Sequence, residues 1–561
     1  MSDPLGTPPG ELPDLLGQLA RRDPRAPVAV DRLDGGALLV DRGTLWRRTR
    51  ALAARLSAAG IGAGDCVAVW LPNWSDALVW QFAVAARGAH VVGVNTRYNL
   101  AEVAHVLGRA RPRLVALAHR FHDLDLAGRL HEALARVDGP APAVALVAGP
   151  GRVVAPGDVQ AVDVGGGAWA PDPDDDGPEP PELPAGDPRA LAAAFTTSGS
   201  TGMPKLAAHR GSGILTHALA DAAAIGIAEG DRVLCALPLS GVFGFNAAMA
   251  TLAAGGVCVL EPVFDADTVL DDMVAHRVTH VGAGDDLVLR LAEAWRARPR
   301  DLSSWRWWGA ADFQGRSREL AEWARREFGT VTTGLYGSSE VFALTALWPP
   351  TEPLPGRLAA GGHVVHPDIR VRVADPETGT VLEPGAEGEL QFRGPNVVDA
   401  YLGDDGSTAR AAFTADGWFR SGDLGRLVGA SAFTYTCRMG DALRLRGFLV
   451  DPAEIELRLA AHPAVHTAKV VGVPGPDGAT VAVGFVVPNG AHPPAPDELR
   501  RWCAAELAAF KVPRTVHVIA AMPTTTGTNG TKIRAAELRE WALDGPPERV
   551  LSAPGHPPRS P

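Results

Sequence analysis

The chain has 561 residues, of which 46% are hydrophobic and 21% are charged, and its formal net charge is −11. This length and composition predict a globular protein of several domains or subdomains. The acidic balance argues against nucleic acid as the main partner, because a polyanion binder needs a concentrated basic surface. Five cysteines are scattered without the close pairing of zinc ligands or redox pairs, which favours reduced, buried thiols.

Residues 1–24 are interpreted as an N-terminal extension. They lack the basic start and apolar core of a secretory signal, and no apolar run in the chain reaches membrane-spanning length. We therefore expect a cytoplasmic protein without a membrane span.

Residues 25–437 are predicted to form a large domain. Helix-like segments at 45–59 and 75–87 alternate with apolar runs at 66–71 and 90–94, a pattern typical of α/β structure. An acidic, proline-rich stretch at about 165–188 has little to bury and is interpreted as a flexible loop. Strand-like and helix-like segments resume to about residue 330, and short strands with glycine turns then indicate a β-rich subdomain.

The sequence changes character after residue 437. Segments at 453–461, 465–473, 480–487, 497–509 and 515–519 predict a compact α+β domain over residues 438–545. Residues 546–561 are proline-rich and are expected to be a disordered tail. The predicted fold class is α/β, with two α/β sheets plus a β-rich subdomain in the large domain and a small α+β C-terminal domain.

Only four of the 53 basic residues are lysines, namely Lys205, Lys469, Lys511 and Lys532. An ammonium is a compact point charge that fits beside a reacting phosphorus, whereas a guanidinium is a broad planar fork. Residues 196–205 read Thr-Thr-Ser-Gly-Ser-Thr-Gly-Met-Pro-Lys and offer many donors to phosphate oxygens, although the spacing is not that of a Walker loop. The apolar run before this loop and the helix-like stretch after it predict a strand-to-helix turn, which favours anion binding.

This loop resembles the phosphate loop of the adenylate-forming (ANL) superfamily, which includes acyl-CoA synthetases, luciferases and nonribosomal-peptide adenylation domains. Further motifs follow in the family's order at residues 334–340, 388–401, 416–423, 438–456 and 523–534. The resemblance extends from about residue 25 to residue 542. It implies an AMP-forming acyl-CoA synthetase or aryl-acid ligase that uses ATP, Mg²⁺ and coenzyme A.

The resemblance assigns roles to individual residues. Tyr336 is expected to offer a flat face to adenine, and Asp423 is expected to accept hydrogen bonds from the ribose hydroxyls. The catalytic residues it implies are Lys532, which bridges the substrate carboxylate and the α-phosphate, Glu340, which is the Mg²⁺ ligand, and Ser339, whose hydroxyl serves the α-phosphate. The expected nucleotide-binding residues are Thr197, Ser198, Gly199, Ser200, Thr201, Gly202, Lys205, Gly309, Ala310, Tyr336, Gly337, Ser338, Asp423 and Arg438.

The acid pocket and the hinge are assigned in the same way. The expected pocket residues are Gly241, Val242, Phe243, Trp308, Gly334 and Phe342. Gly241 stands where many relatives have a histidine or an aromatic residue, which leaves room in the pocket or a place for another group. Gly440 stands at the family's hinge, where glycine absorbs large changes in φ and ψ and allows a mobile C-terminal domain. Rotation about it brings residues 446–448 towards the adenylate, so that a thiol can enter.

The sequence predicts ATP-dependent activation of a fatty or aromatic carboxylic acid, followed by transfer to coenzyme A. The acid itself is not identified. Three alternatives stay open: transfer to a carrier-protein thiol, transfer to an amine, and activation of an inorganic oxyanion such as nitrite. A non-catalytic scaffold is disfavoured, because Glu340, Asp423, Arg438 and Lys532 are all present.

Overall fold

The structure is a computed structural model that describes residues 10–33, 35–171, 180–183, 186–197, 204–313, 315–439, 443–445, 448–450, 452–475, 480–490, 493–507, 509–527 and 530–546. Within these ranges, no helix is both long enough and apolar enough to cross a bilayer.

The helices and strands fall into four groups along the chain. The first group is α1 (Leu12–Arg22), β1 (Pro27–Leu33), β2 (Gly36–Asp41), α2 (Arg42–Ala58), β3 (Cys66–Trp70), α3 (Ser75–Ala85), β4 (His90–Gly93), α4 (Leu100–Ala110), β5 (Leu114–Ala118), α5 (Leu126–Leu134), β6 (Ala143–Val147), α6 (Pro156–Ala161), β7 (Ala168–Trp169), β8 (Leu191–Thr196) and β9 (Leu206–Arg210). The second is α7 (Gly211–Ile225), β10 (Arg232–Cys235), α8 (Val242–Ala253), β11 (Val257–Leu260), α9 (Ala266–Ala275), β12 (His280–Gly284), α10 (Asp285–Ala297), β13 (Trp307–Ala311), α11 (Ser317–Phe328) and β14 (Val331–Tyr336).

The third group is β15 (Ala346–Leu347), a 3₁₀ turn (Gly356–Leu358), β16 (Gly361–Val364), β17 (Arg370–Ala374), β18 (Glu387–Arg393), β19 (Ala400–Tyr401), α12 (Ser407–Ala412), β20 (Phe419–Leu427) and β21 (Ala432–Arg438). The fourth is β22 (Leu443–Leu445), β23 (Phe448–Val450), α13 (Pro452–Ala460), β24 (Val465–Pro474), β25 (Thr480–Pro488), α14 (Pro496–Ala504), a second 3₁₀ turn (Ala509–Lys511), β26 (Thr515–Val518), β27 (Thr524–Gly527), β28 (Gly530–Ile533) and α15 (Ala535–Asp544).

The first sheet has the strand order β19-β9-β8-β4-β3-β5-β6-β7. Its central strands are parallel, whereas β9 pairs antiparallel with β8. Strands β3 and β5 are buried along their whole length, which is typical of a parallel sheet with helices on both faces. The α/β alternation predicted for the first part of the chain is confirmed in α2, β3, α3 and β4.

The second sheet joins the α/β part of the chain to the β-rich part. Its order is β17-β18-β20-β21-β16-β15-β14-β13-β12-β10-β11-β1-β2. The strands from β14 through β13, β12, β10 and β11 to β1 are parallel, and the pairing becomes antiparallel where β15 meets β14. The β-rich subdomain is therefore hydrogen-bonded to the second α/β sheet. As a result, the motif residues on β14, β20 and β21 all lie in one sheet.

The C-terminal part forms a small α+β unit around the sheet β24-β25-β26. Helices α13 and α15 pack on β24, and α14 packs on β26. Hairpins β22-β23 and β27-β28 stand on either side of it in the sequence. The five segments predicted in this region are confirmed, and the predicted fold class is confirmed with them.

Candidate active site

Residues 337–344, here called the Glu340 loop, follow strand β14 in an irregular conformation. Four of the backbone carbonyls in this loop accept a hydrogen bond from a group elsewhere in the fold. The pairs are His209 Nε2 to Ser339 O, Val398 N to Glu340 O, Asn396 Nδ2 to Val341 O and His217 Nε2 to Ala343 O, each at 2.7 Å. The loop is thus fixed from β9, from α7 and from the segment before β19.

The Glu340 loop also contains backbone strain. Phe342 has φ 53° and Leu344 has φ 45°, in the left-handed region that costs of order 1 kcal/mol or more for a residue with a side chain. The ring of Phe342 is only 1% exposed. It is enclosed by aromatic rings at 5.0–6.1 Å, those of Phe195, His209, His217 and Phe245. Packing and hydrogen bonding together hold the strained conformation.

Two serine hydroxyls organise the carboxylate of Glu340 and its surroundings. Ser338 Oγ donates to Glu340 Oε2 at 3.1 Å and accepts from the Glu340 amide at 3.2 Å. Ser339 Oγ donates to the carbonyl of Thr196, at the end of β8, at 3.0 Å. Burial raises the pKa of Glu340, and the nearby charges of Arg438 and Lys205 oppose that rise. The Glu340 carboxyl therefore accepts a hydrogen bond from the Ser338 hydroxyl and lies near the charges of Arg438 and Lys205.

The carboxylate of Asp423 is shared between two partners. Tyr336 donates its hydroxyl to Asp423 Oδ2 at 2.6 Å, and Arg438 Nη1 donates to Asp423 Oδ1 at 2.6 Å. The same guanidinium nitrogen reaches the carbonyl of Ser421 at 3.0 Å, and the Ser421 hydroxyl accepts from the Asp423 amide. Asp423 and Arg438 are directly paired in the register of β20 and β21. This interaction links β14 to the β-rich part of the sheet.

Tyr336 is enclosed more fully than its expected role suggests. Its side chain is 6% exposed, with Phe392 stacked on it at 5.5 Å and the edge of Phe433 at 5.1 Å. Tyr435 lies beside it at 5.8 Å. In this arrangement the phenol hydroxyl serves Asp423, and adenine reaches the ring face only if a neighbouring ring moves.

The predicted strand-to-helix turn at residues 196–205 is wrong. The residues after Lys205 form strand β9, which pairs antiparallel with β8 so that Leu206 lies opposite Thr196, and α7 begins only after β9. The base of the loop is closed by Thr197, whose amide donates to Lys205 O at 2.9 Å and whose hydroxyl accepts from the Lys205 amide at 3.3 Å. The loop therefore connects two antiparallel strands, β8 and β9, rather than a strand and a helix.

The other loop residues are only partly defined. Lys205 Nζ lies 5.5 Å from the centre of the Tyr401 ring, a cation–π distance. Ser198, Gly199, Ser200, Thr201 and Gly202 lie outside the described residues. Their proposed contacts with phosphate stay a prediction.

The residues predicted for the acid pocket occupy different surroundings. Phe243 packs on an apolar cluster at the ends of β13 and β14, here called the apolar pocket cluster. The cluster consists of Leu335, Leu344 and Leu347 with the partly buried Ile225, Phe243, Ala311 and Val365. Val242 and Trp308 are 1% and 0% exposed and belong to the two main cores. Gly241 is the N-cap of α8, and Phe342 lies in the aromatic enclosure described above.

The predicted glycines are places of close approach. A Cβ on Gly334 would lie 2.3 Å from the carbonyl oxygen of Ala359, and one on Gly337 would lie 2.6 Å from the Leu344 amide. A Cβ on Gly309 would lie 2.3 Å from the Trp307 ring. Close contacts around β13 and β14, with backbone atoms at Gly334 and Gly337 and with a side chain at Gly309, therefore favour glycine here independently of any ligand. Ala310, on β13, is 3% exposed.

The C-terminal motif is described through its backbone. Lys532 lies on β28 and pairs with Thr525 across the hairpin, and β28 approaches helix α10 of the large domain. The hinge residue Gly440 and the residues Arg446 and Gly447 lie outside the described residues. The position of the Lys532 ammonium and the hinge role of Gly440 stay predictions.

The sequence did not indicate the hydrogen bonds that shape the Glu340 loop. His217 and Ala343 are 126 residues apart, and Asn396 and Val341 are 55 apart. Tyr98 also contacts this region: its hydroxyl lies 2.6 Å from Oγ1 of Thr196, the residue whose carbonyl accepts from Ser339. No local spacing marks such pairs, and buried histidines and asparagines within apolar segments were the only signal present.

The chemistry of this donor set fits a magnesium nucleotide. Hydroxyl and carboxylate oxygens are the ligands that Mg²⁺ prefers, and Ser338, Ser339 and Glu340 supply them side by side. The Asp423–Arg438 pair, on β20 and β21 of the same sheet, supplies an acceptor for hydroxyls and a fixed positive charge. Glu340 would hold the metal, and Asp423 would hold the ribose.

Comparison with known proteins agrees with this geometry. Residues 18–402 match the family described as AMP-binding enzyme, and residues 454–528 match the AMP-binding enzyme C-terminal domain. A feruloyl-CoA synthase of Amycolatopsis sp is 31% identical over 527 residues, which cover 92% of this chain and 97% of that protein. ATP-bound MatB from Rhodopseudomonas palustris superposes with a TM-score of 0.80 at 25% identity, over 95% of this chain and 99% of that one. The amide bond synthetase McbA from Marinactinospora thermotolerans gives 0.77 at 28% identity, over 94% and 99%.

The chain belongs to the AMP-binding enzyme family, so the family resemblance stated from its motifs is confirmed. It is an ATP-dependent, AMP-forming acid–thiol ligase.

His209 makes the stability of the Glu340 loop depend on pH. Burial lowers its pKa from 6.5 to about 4, so the folded protein holds this ring neutral while the unfolded chain protonates it. Its stabilising contribution is full above pH 6.5 and is lost as the pH falls through 6.5 towards 4. A pKa of about 4 in the folded protein against 6.5 in the unfolded chain corresponds to about 3 kcal/mol of folding free energy.

We expect His209→Gln, whose amide keeps a donor for Ser339 O, to flatten this part of the acid dependence. Urea unfolding of both proteins between pH 7.5 and pH 4 measures the difference in slope. Parallel curves for the two proteins would show that His209 does not titrate in this way.

Asp423 carries the predicted contact with the ribose. We expect Asp423→Asn to raise the KM for ATP roughly 10-fold or more, because a charge-assisted acceptor is lost, with a smaller effect on kcat. Pyrophosphate exchange at varied ATP concentration measures this split. The matched control is Glu389→Gln, a buried carboxylate that pairs with Arg420 on β20. An equal rise in KM in the control would assign both effects to the sheet rather than to nucleotide contact.

Proposed function

We propose that the protein activates an aromatic or fatty carboxylic acid as its acyl adenylate, releases pyrophosphate and transfers the acyl group to coenzyme A. The observation that carries this proposal is the placement of Glu340 only four residues after Tyr336, which is bonded to Asp423. The stretch 336–340 thus contains the candidate metal ligand and also the tyrosine that is hydrogen-bonded to the candidate ribose acceptor. The feruloyl-CoA synthase similarity supports the acid class and the acceptor.

The chemistry requires charge neutralisation and placement rather than proton transfer, because both the acid and ATP are anionic. Bound Mg²⁺ would supply charge neutralisation at the phosphates. Among the chain's own residues, Thr197 and Ser339, which follow β8 and β14, would donate hydroxyls to phosphate oxygens, Ser339 by exchanging the carbonyl of Thr196 for the phosphate. Lys532 would bridge the acid carboxylate and the α-phosphate. The apolar pocket cluster would receive the hydrocarbon part of the acid and keep water away from the adenylate.

The second half-reaction is proposed to follow a rotation of the C-terminal domain, residues 438–545, about Gly440. This movement would withdraw Lys532 and open a path for the thiol of coenzyme A. We propose the cytoplasm as the place of reaction. A carrier-protein thiol is a further acceptor to be tested.

A second candidate function is amide formation, in which an amine takes the acyl group in place of a thiol. The similarity to the amide bond synthetase McbA favours this candidate, since it extends over 94% of this chain. Both functions share the adenylation step.

The function is tested by pyrophosphate exchange into ATP over a panel of fatty acids, aromatic acids and inorganic oxyanions including nitrite. Product analysis with coenzyme A, with an amine and with neither then identifies the acceptor. We expect exchange with one class of organic acid and a thioester product that requires coenzyme A. Amide formation without a thioester would select the second candidate, and the absence of exchange with every acid and oxyanion would refute both.

Lys532 separates the two half-reactions. We expect Lys532→Ala to lower adenylate formation by about 100-fold or more, because a charge next to the reacting phosphate is lost. Thioester formation from supplied acyl adenylate should stay nearly unchanged. The matched control is Lys469→Ala, since Lys469 is a C-terminal-domain lysine that pairs with Glu456 at 2.8 Å. Equal losses in both half-reactions would refute the role assigned to Lys532.

A further inference from the structure

Three polar side chains meet inside the packed pair of helices α7 and α8. His217 and Asp221 lie on α7 and Asn246 lies on α8, and they are 1%, 0% and 0% exposed. Asn246 Nδ2 donates to Asp221 Oδ2 at 2.5 Å, and the same oxygen lies 3.2 Å from His217 Nε2. We call these three residues the polar cluster.

Each member of the polar cluster has one polar atom without a hydrogen-bond partner among the described residues. These atoms are His217 Nδ1, Asp221 Oδ1 and Asn246 Oδ1. Leaving a buried polar atom unpaired costs of order 1–3 kcal/mol, so three together in one place call for a missing partner. Two of the three are oxygens, one on a carboxylate and one on an amide, and both can accept a hydrogen bond.

The helix geometry places the polar cluster next to the apolar pocket cluster. Along α7, His217, Asp221 and Ile225 are spaced four residues apart and therefore share one face. Along α8, Phe243 and Asn246 are three residues apart and also share a face. Ile225 and Phe243 both belong to the apolar pocket cluster. Asp221 and Asn246 therefore lie about one helical turn, roughly 5 Å, beyond its apolar wall.

The polar cluster also borders the Glu340 loop. The Phe342 ring stands 5.4 Å from the His217 ring and 5.0 Å from the His209 ring, and His209 holds the carbonyl of Ser339. The rings of Phe342 and His209 thus lie between the polar cluster and Ser339, the residue expected at the α-phosphate. Such a separation suits an acid whose carboxylate lies at the phosphate and whose other end points between α7 and α8.

We propose that Asp221 and Asn246 form the far end of the acid pocket and select an acid that carries a hydroxyl or amino group remote from its carboxylate. The proposal rests on the proposed function. The substrate group donates to Asp221 Oδ1 or Asn246 Oδ1, while His217 stays paired with Asp221 and with Ala343 O. An apolar acid of the same size leaves both oxygens unpaired and is therefore disfavoured.

The test uses acids of matched size that differ in this donor: 4-hydroxycinnamate against 4-fluorocinnamate, and 8-hydroxyoctanoate against nonanoate, in which a methyl group replaces the hydroxyl. The readout is kcat/KM in pyrophosphate exchange. We expect the wild-type protein to prefer the hydroxylated member of at least one pair about 10-fold or more, as one hydrogen bond to a charged acceptor allows. Asp221→Asn should reduce this ratio to within about threefold while changing kcat/KM for the acid without a donor much less.

Two further variants complete the design. Asn246→Leu removes one acceptor, keeps the His217–Asp221 pair, and should lower the same ratio. The matched control is Asp31→Asn, which alters a carboxylate that is also 0% exposed and accepts hydrogen bonds from Ser75. It should leave the ratio as in the wild type.

The results separate this inference from the proposed function. If the wild-type protein uses both acids of each pair equally, the inference is overturned and the proposed function stays intact. This result needs no variant, so it counts even if both cluster variants fail to fold. Variants that lower kcat/KM equally for both members of a pair also overturn it, since they show only a structural role. A crystal structure with a bound acyl adenylate analogue in which a water alone occupies the polar cluster would do the same. No exchange with any acid or oxyanion would instead refute the proposed function itself.

Discussion

The buried carboxylate of Asp423 ties together the parts of the chain that form the candidate active site. Its side chain is only 6% exposed, and a buried charge is tolerated only when it is paired and hydrogen-bonded. Arg438 supplies the opposite charge and Tyr336 supplies a hydroxyl. Because these partners come from β21 and β14, the carboxylate fixes the antiparallel part of the second sheet relative to its parallel part. The Glu340 loop starts directly after Tyr336, so the hydrogen bond between Tyr336 and Asp423 fixes where the loop begins.

Strain and hydrogen bonding are balanced within the Glu340 loop. A residue with a side chain adopts positive φ only where its surroundings hold it there, and this loop contains two such residues, Phe342 and Leu344. The surroundings are visible in the structure as donors from β9, α7 and the segment before β19, each directed at a different carbonyl. A loop whose backbone is fixed in this way would suit the proposed function, because electrostatic stabilisation of a phosphoryl transition state requires groups that are already in position.

The sequence predicted those features that depend on local pattern. Apolar periodicity gave the strands and helices of the first sheet and of the C-terminal unit, and ordered motifs gave the family. Features that depend on pairing between distant segments were missed. Residues 206–210 form β9 because they pair with β8, although their local pattern had suggested that the chain enters a helix directly. Phe392 and Phe433 enclose Tyr336 because the two sheet regions are continuous, and that continuity has no local signature.

The Glu340 loop has two sides with different chemical tasks. On one side, Ser339 Oγ donates to the carbonyl of Thr196, and Glu340 lies near the charges of Arg438 and Lys205. On the other side, Leu344 belongs to the apolar pocket cluster and Phe342 touches the rings of two buried histidines. In the proposed function, acid and nucleotide would therefore be bounded by the same eight residues. A change in how the acid packs against Phe342 or Leu344 must be absorbed by a backbone that is already strained and held at four carbonyls. Under the proposed function, selection of the acid and placement of the α-phosphate would be coupled through this loop, because both sides share one strained and hydrogen-bonded backbone.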